Sequence, residues 1–201
     1  MILIGYSGHG FVAFGILSAA GKKVTGYCDV AEKEYDPFGL PYVGSENSEA
    51  AMQALKQNGF FIAVGDNGLR KKIHENLAQK QLLPGNAVHP SAVIDHSVIV
   101  AEHGVMIAAN ATINPLASIA TGVICNTACV VEHECVVEAF AHIGPGAVLC
   151  GNVKIGAGTF VGANAVIKQG VTVGNNAIIG AGAVVVKDVP DNITVMGVPA
   201  R

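Results

Sequence analysis

The chain has 201 residues, a formal net charge of −3, 51% hydrophobic residues and only 13% charged ones, where an average globular chain carries about 25% charged residues. Its longest stretches free of both a charge and a break are near ten residues and dotted with Gly, as in Ala177 to Val186, well short of the roughly 20 that a membrane-spanning helix needs. Cationic residues cluster only at Arg70-Lys71-Lys72, which argues against a nucleic-acid surface. The sequence begins on a strand-like run rather than a basic and then apolar leader. Its five Cys are odd in number and contain no C-x-x-C pair, so a reducing cytoplasm is expected rather than a disulfide framework.

In chain order, Met1 to Gly5 reads as a short buried strand running into Gly5-Tyr6-Ser7-Gly8-His9-Gly10. A helix over Phe11 to Ala20 follows, then a strand over Val24 to Cys28 that ends at Asp29, which makes a βαβ unit. After a loop containing Asp36-Pro37 and Leu40-Pro41, the pattern predicts a helix near Asn47 to Gln57, a strand from Phe60 to Val64 ending in Gly65-Asp66-Asn67, and a helix near Leu69 to Gln79. Glycines at a strand-to-helix turn let phosphate oxygens approach the N–H groups of a helix N-terminus. The spacing of Gly5, Gly8 and Gly10 departs from G-x-G-x-x-G, so a plain tight turn is the alternative. Asp29 stands where a ribose-binding acid often lies, although a solvated loop acid would stand there equally well. Three strands make half a dinucleotide fold, suited to one nucleotide. A dehydrogenase would need a second half, for which the first 90 residues have no room.

Beyond residue 90 the composition changes. Residues 1 to 90 hold 16 of the 27 charges and nine of the 11 aromatics, and Ile107 to Val186 contains only Glu132, Glu134, Glu138, Lys154 and Lys168 as charged residues. This second part repeats with period six: Ile107, Ile113, Ile119, Cys125, Val131, Val137, Ile143, Leu149 and onward without a gap to Val185. A small or β-branched residue comes four positions after each aliphatic, as at Ala111, Ala117, Val123 and Cys129. A helix cannot keep a period of six on one face. A parallel β-helix can, with one short strand and a corner per hexad and three hexads per triangular coil. Cys125, Cys129 and Cys135 then become core residues rather than metal ligands, and no metal site is expected. Upstream, Val93, Ile99 and Val105 keep the spacing two residues out of register, which predicts a ragged first coil.

The hexads resemble the left-handed β-helix of acyltransferases. The fold expected is therefore an α/β half-Rossmann domain over 1–86, binding a nucleotide sugar, followed by a left-handed parallel β-helix over 87–201. The tract Asn126-Thr127, Val131-Glu132-His133-Glu134-Cys135, Ala141-His142-Ile143 and Gly151-Asn152-Val153-Lys154-Ile155-Gly156, with the ending Gly197-Val198-Pro199-Ala200-Arg201, is similar to the nucleotide-sugar acyltransferases of the bacillosamine N-acetyltransferase and sialic acid O-acetyltransferase type. Ser7-Gly8-His9-Gly10 and Gly65-Asp66-Asn67 match that family as well, so the resemblance covers the whole chain.

Acetyl transfer from a thioester needs a base for the nucleophile's proton, a role that suits imidazole near neutrality. His133 is the histidine flanked by carboxylates in the charge-poor segment, and Glu134 beside it would stabilise the imidazolium. Gly151 lies one coil further on, where its N–H is placed to hold an oxyanion. The resemblance implies an active-site role for Asn126, acetyl-CoA contacts at His142, Ala163 and Ala181, and nucleotide-sugar contacts at Ser7, Gly8, His9, Asp29 and Gly65. Val30 follows Asp29 where the family often has a second acid. His74, His89, His96 and His103 lack comparable neighbours and are expected at the surface. The activity implied is acetyl-CoA-dependent N-acetylation of the 4-amino group of a nucleotide-linked sugar, UDP-linked in the first instance, with O-acetylation of a sialic acid or similar hydroxyl as the alternative. A homotrimer with sites between subunits is implied too. A non-enzymatic β-helix would show Thr ladders, whereas the Thr here are scattered.

Overall fold

In the computed structural model, which describes all 201 residues, the chain begins with β1 (Ile2–Ile4), α1 (Gly8–Ala19), β2 (Gly26–Cys28), α2 (Glu49–Asn58), β3 (Phe60–Ile62) and α3 (Asn67–Gln79). The three strands form a parallel sheet in the order β2-β1-β3. Each is three residues long and buried throughout, as strands covered on both faces must be. Helix α1 starts at Gly8, three residues earlier than the sequence pattern suggests, because the glycine turn itself forms its first turn. A Cβ at Gly10 would come within 2.6 Å of the Gly5 carbonyl oxygen, so only glycine permits this crossing.

From Ala87 onward eighteen two-residue strands, β4 (Ala87–Val88) to β21 (Thr194–Val195), wind into a parallel β-helix. Its three faces carry seven, six and five stacked strands. Cys125 pairs with Ile107 on one side and Ile143 on the other, which is the 18-residue coil expected from the hexads. The aliphatic of each hexad and the small residue four positions later both point inward and, from Val105 to Val195, form one cluster of 29 buried residues. Cys125, Cys129 and Cys135 lie inside it. Corners turn on residues with positive φ, which explains the Asn at 110, 152, 164, 176 and 192.

The first coil corrects the sequence reading. Val93 and Ile99 point outward, 63% and 70% exposed, while Ile94 and Val100 pack on the core. The offset is one residue, taken up in the turn before β7 (Met106–Ile107). Val105 is wholly buried and continues the Ala111 column of small residues rather than the aliphatic one.

The amino-terminal layer docks on the face that contains β4 and β7. Along that face the outward residues Ala87, Met106 and Ile124 are buried under α1 and join its apolar cluster with Leu3, Ala13 and Leu17. The opposite end of the β-helix is closed by its own chain: Met196 and Arg201 exchange two backbone hydrogen bonds of 3.1 Å, and Ala200 N–H donates to the Val184 carbonyl at 2.9 Å.

Candidate active site

Two groups of predicted residues lie at different corners of the β-helix. The first is at the turn between the face of β11 (Val130–Val131) and that of β12 (Val136–Val137). His133 Nδ1 stands 3.0 Å from Glu134 Oε2, with side chains 49% and 57% exposed. Glu134 has a φ of 60° at a position where the next coil has Asn152, and this backbone turn brings its carboxylate beside the ring. With Nδ1–H donated to Glu134, Nε2 is the free base. One coil on, the ring lies directly over Gly151, where a Cβ would be 2.5 Å from His133 Cε1. The Gly151 N–H donates to no group of the chain.

The second group follows β10 (Ile124–Cys125) and includes β13 (His142–Ile143). Asn126 Nδ2 is 3.0 Å from His142 Nε2, and Asn126 Oδ1 accepts the Thr127 N–H at 2.8 Å. Because Oδ1 is occupied, Nδ2 is the donor and Nε2 the acceptor, so the neutral ring carries its proton on Nδ1. His142 is 7% exposed. Burial first, then the positive charge of Arg70 and the neighbouring His9, lower its pKa to about 4, with the Gly65 carbonyl acting in the opposite direction. His142 Nδ1 is buried and has no hydrogen-bond partner in the chain. Ala163 and Ala181 occupy the same corner in successive coils, beside Gly162 and Gly180. At Gly162 any Cβ would run into the backbone of the following coil. Asn126 thus belongs with His142, one face away from His133.

A crevice of about 370 Å³ opens at the carboxyl ends of β1, β2 and β3, lined among others by Gly5, Ser7, Asp29, Lys33 and Gly65. Ser7 is the N-cap of α1 but makes no capping bond, and the first turn of α1 holds no acid, which leaves N–H groups and a hydroxyl for an anion. Gly8 lines an adjoining groove with Phe11, Lys33 and Tyr35. His9 lies deeper, with its ring centroid 6.0 Å from that of His142; burial and Arg70 lower its pKa to about 4. The Asp29 carboxylate is already engaged, accepting from Tyr6 N–H at 3.0 Å and Val30 N–H at 2.8 Å and pairing with Lys33 at 3.0 Å. Lys33, which sequence reasoning missed, is the cation shared by both openings. A further groove between Gly65-Asp66-Asn67 and Phe160 joins the crevice to the docking face of the β-helix.

Arg70, the first residue of the cationic run, is 1% exposed and donates to the carbonyls of Gly122 at 2.8 Å, Gly65 at 3.0 Å and Phe140 at 2.9 Å. His74 is also not a free surface side chain, since it packs edge-on against Phe140 and its Nε2 is buried.

A β-helix of hexads joined to a half-Rossmann layer, with His133 lying over Gly151, is the architecture of an acyltransferase of the hexapeptide-repeat class. Residues 1–77 match the family described as the PglD N-terminal domain, and residues 134–169 and 152–187 match bacterial transferase hexapeptide (six repeats). The chain is similar over 100% of its length to a variant of perosamine N-acetyltransferase from Caulobacter crescentus in complex with CoA and GDP-perosamine, at 38% identity, 94% of that chain and a TM-score of 0.91. It is similar in the same way to the acetyltransferase domain of PglB from Neisseria gonorrhoeae FA1090 in complex with acetyl coenzyme A, at 35% identity, 97% of that chain and a TM-score of 0.91. WeeI from Acinetobacter baumannii AYE shares the fold at 23% identity, with 97% of that chain covered and a TM-score of 0.80. The chain belongs to this family of hexapeptide-repeat nucleotide-sugar N-acetyltransferases. No helix in it is long and apolar enough to cross a membrane.

Proposed function

We propose that the protein transfers the acetyl group of acetyl-CoA to the 4-amino group of a nucleotide-linked amino-dideoxy sugar, in the cytoplasm and for surface glycan or glycoprotein synthesis. The observation that carries this reading is His133, backed by Glu134, lying over the free N–H of Gly151. His133 Nε2 takes a proton from the amine as its nitrogen attacks the thioester carbonyl. Glu134 stabilises the imidazolium that forms. The Gly151 N–H holds the oxyanion, a contribution of about 3 kcal/mol for a donor of this kind. Collapse of the tetrahedral intermediate forms the amide and releases the CoA thiolate, which the imidazolium can protonate. Asn126, His142, Ala163 and Ala181 line the donor's path, and Ser7, Gly8, His9, Asp29 and Gly65 hold the nucleotide sugar.

The enzyme acts as a homotrimer in this reading. His133 stands between the two faces that do not carry the amino-terminal layer, whereas the crevice opens toward the third. In this reading a nucleotide sugar bound by one protomer meets the His133 of a neighbour. The outward column Val130, Val148, Val166 and Val184, next to the His133 corner, supplies an apolar surface for that contact.

The nucleotide we place first is UDP. The relative that is 38% identical was solved with GDP-perosamine, so the deciding assay compares UDP- and GDP-linked 4-amino sugars and a free sialic acid, each with acetyl-CoA, by thiol release. Turnover of a 4-amino nucleotide sugar supports N-acetylation, and turnover of the sialic acid alone would replace it with O-acetylation. In the first assay His133→Ala should reduce turnover by at least about a hundredfold while leaving the far-UV spectrum unchanged.

A further inference from the structure

Arg70 is buried with no carboxylate paired to it. An isolated guanidinium in such a place is costly unless its donors are satisfied, and here they are, by parts of the chain distant in sequence. Val64, Gly65 and Asn67 oxygens accept from one side, and Gly122, Phe140 and Ala141 carbonyls from the other. Asn67 itself donates to the Gly158 carbonyl at 2.9 Å. The fork of Arg70 thus fixes the Gly65 turn, one wall of the crevice, against the coils that carry His142.

His142 is the residue this arrangement governs. Its Nε2 must accept from Asn126, because Asn126 Oδ1 is committed to Thr127, its Nδ1 is buried without a partner, and the Gly65 carbonyl that Arg70 anchors acts on the ring. A protonated ring would turn an Nε2–H against the Asn126 amide N–H. The titratable and charged groups facing His142 are Arg70 and His9, with Asp66 acting on Arg70; no carboxylate is positioned to favour the imidazolium.

We propose that Arg70 is a positioning residue for the acyl-donor side of the site: its fork braces the Gly65 turn against the Gly122 and Phe140 carbonyls beside His142, and its charge favours the neutral Nδ1–H ring that Asn126 requires. This role rests on the reading of His142 as an acetyl-CoA contact. A neutral ring keeps one shape toward the thioester over the whole working range of pH, and its neutrality follows from burial first, reinforced by a cation that never touches the substrate.

The test is nitrogen-15 NMR of the imidazoles in the full-length wild type, Arg70→Lys and Arg70→Met, alongside steady-state kinetics. Wild type should show His142 as the Nδ1–H tautomer from pH 7 down to pH 5. Arg70→Met, with its cation lost, should raise the His142 midpoint by roughly one pH unit and KM for acetyl-CoA by about tenfold, with kcat changing less. The acid limb of kcat/KM should move with the midpoint. Arg70→Lys keeps the charge but not the fork, so the titration should stay near wild type while KM still rises. A folded Met variant with an unmoved His142 titration overturns the proposal, as does a wild-type ring that is Nε2–H or charged at pH 7. Should the Met variant fail to fold, the wild-type tautomer and the Lys variant still decide. The spectra need no turnover, so a correct tautomer in a protein that acetylates no sugar would count against the assigned reaction and not against Arg70.

Discussion

Glu134 occupies a left-handed backbone position, φ 60°, that the following coils fill with Asn152 and Gly170. A residue of its size there costs roughly 1 kcal/mol or more, and in the proposed reaction the carboxylate it places against His133 offsets that cost only in function. Glu134→Asn should therefore raise stability by about 0.5–1 kcal/mol in urea unfolding and lower kcat by at least about tenfold. An Asn variant that is both less stable and fully active would remove the role given to the pair. A second residue-scale effect concerns His9 and His142, each with a folded pKa of about 4 against 6.5 for the free side chain. Between these values the unfolded chain binds more protons than the folded one, so stability is intact above pH 6.5 and falls as the pH drops toward 4. The loss approaches about 3 kcal/mol for each ring. Urea midpoints at pH 7, 5.5 and 4.5 should decline, and a combined His9→Gln, His142→Gln variant should flatten the decline.

At the scale of the element, each coil depends on its corners as much as on its strands. Thr159 is wholly buried, donating to the Gly174 carbonyl at 2.6 Å and accepting the Ala177 N–H at 3.0 Å. Thr159→Val keeps the volume and leaves both backbone groups unpaired, so it should cost about 1–3 kcal/mol, measured by thermal or urea unfolding; a neutral result would mean that water replaces the hydroxyl. These corners also decide what could be read from sequence. The period of six survives because every inward position sees the same packed interior, so the coil length and core columns from Ile107 onward follow from spacing alone. The first coil does not, because a single extra residue in an exposed turn changes the register without changing the composition. Docking of the amino-terminal layer is hidden for another reason. Met106, Ile124 and His142 stand at outward positions, and only their unusual character for a solvent-facing column signals that something covers them. Arg70 was disguised by its neighbours Lys71 and Lys72, since charge in a run looks alike whether it meets water or carbonyls. The pairing of Glu134 with His133 was readable because the two are adjacent in a charge-poor tract, whereas the pairing of Asn126 with His142 depends on the coil repeat.

For the whole molecule, the separation of His133 from the crevice yields a test that no single variant provides. In the proposed trimer each site combines the His133 corner of one protomer with the crevice and Asn126–His142 corner of the next. His133→Ala and Gly65→Trp should each be inactive alone. Their co-assembly should recover about one quarter of wild-type turnover, since random mixing gives that fraction of sites two intact halves. Zero recovery in verified mixed trimers would place the whole site within one protomer. The closing turn at Met196 to Arg201 acts at the same scale. The last coil of a β-helix would otherwise present a row of unpaired backbone donors and acceptors, the template on which strands of separate molecules add end to end. By exchanging hydrogen bonds between Met196 and Arg201 and tying Ala200 to Val184, the chain pairs part of that edge within itself, and loosening this turn should open those backbone groups to a strand of another molecule.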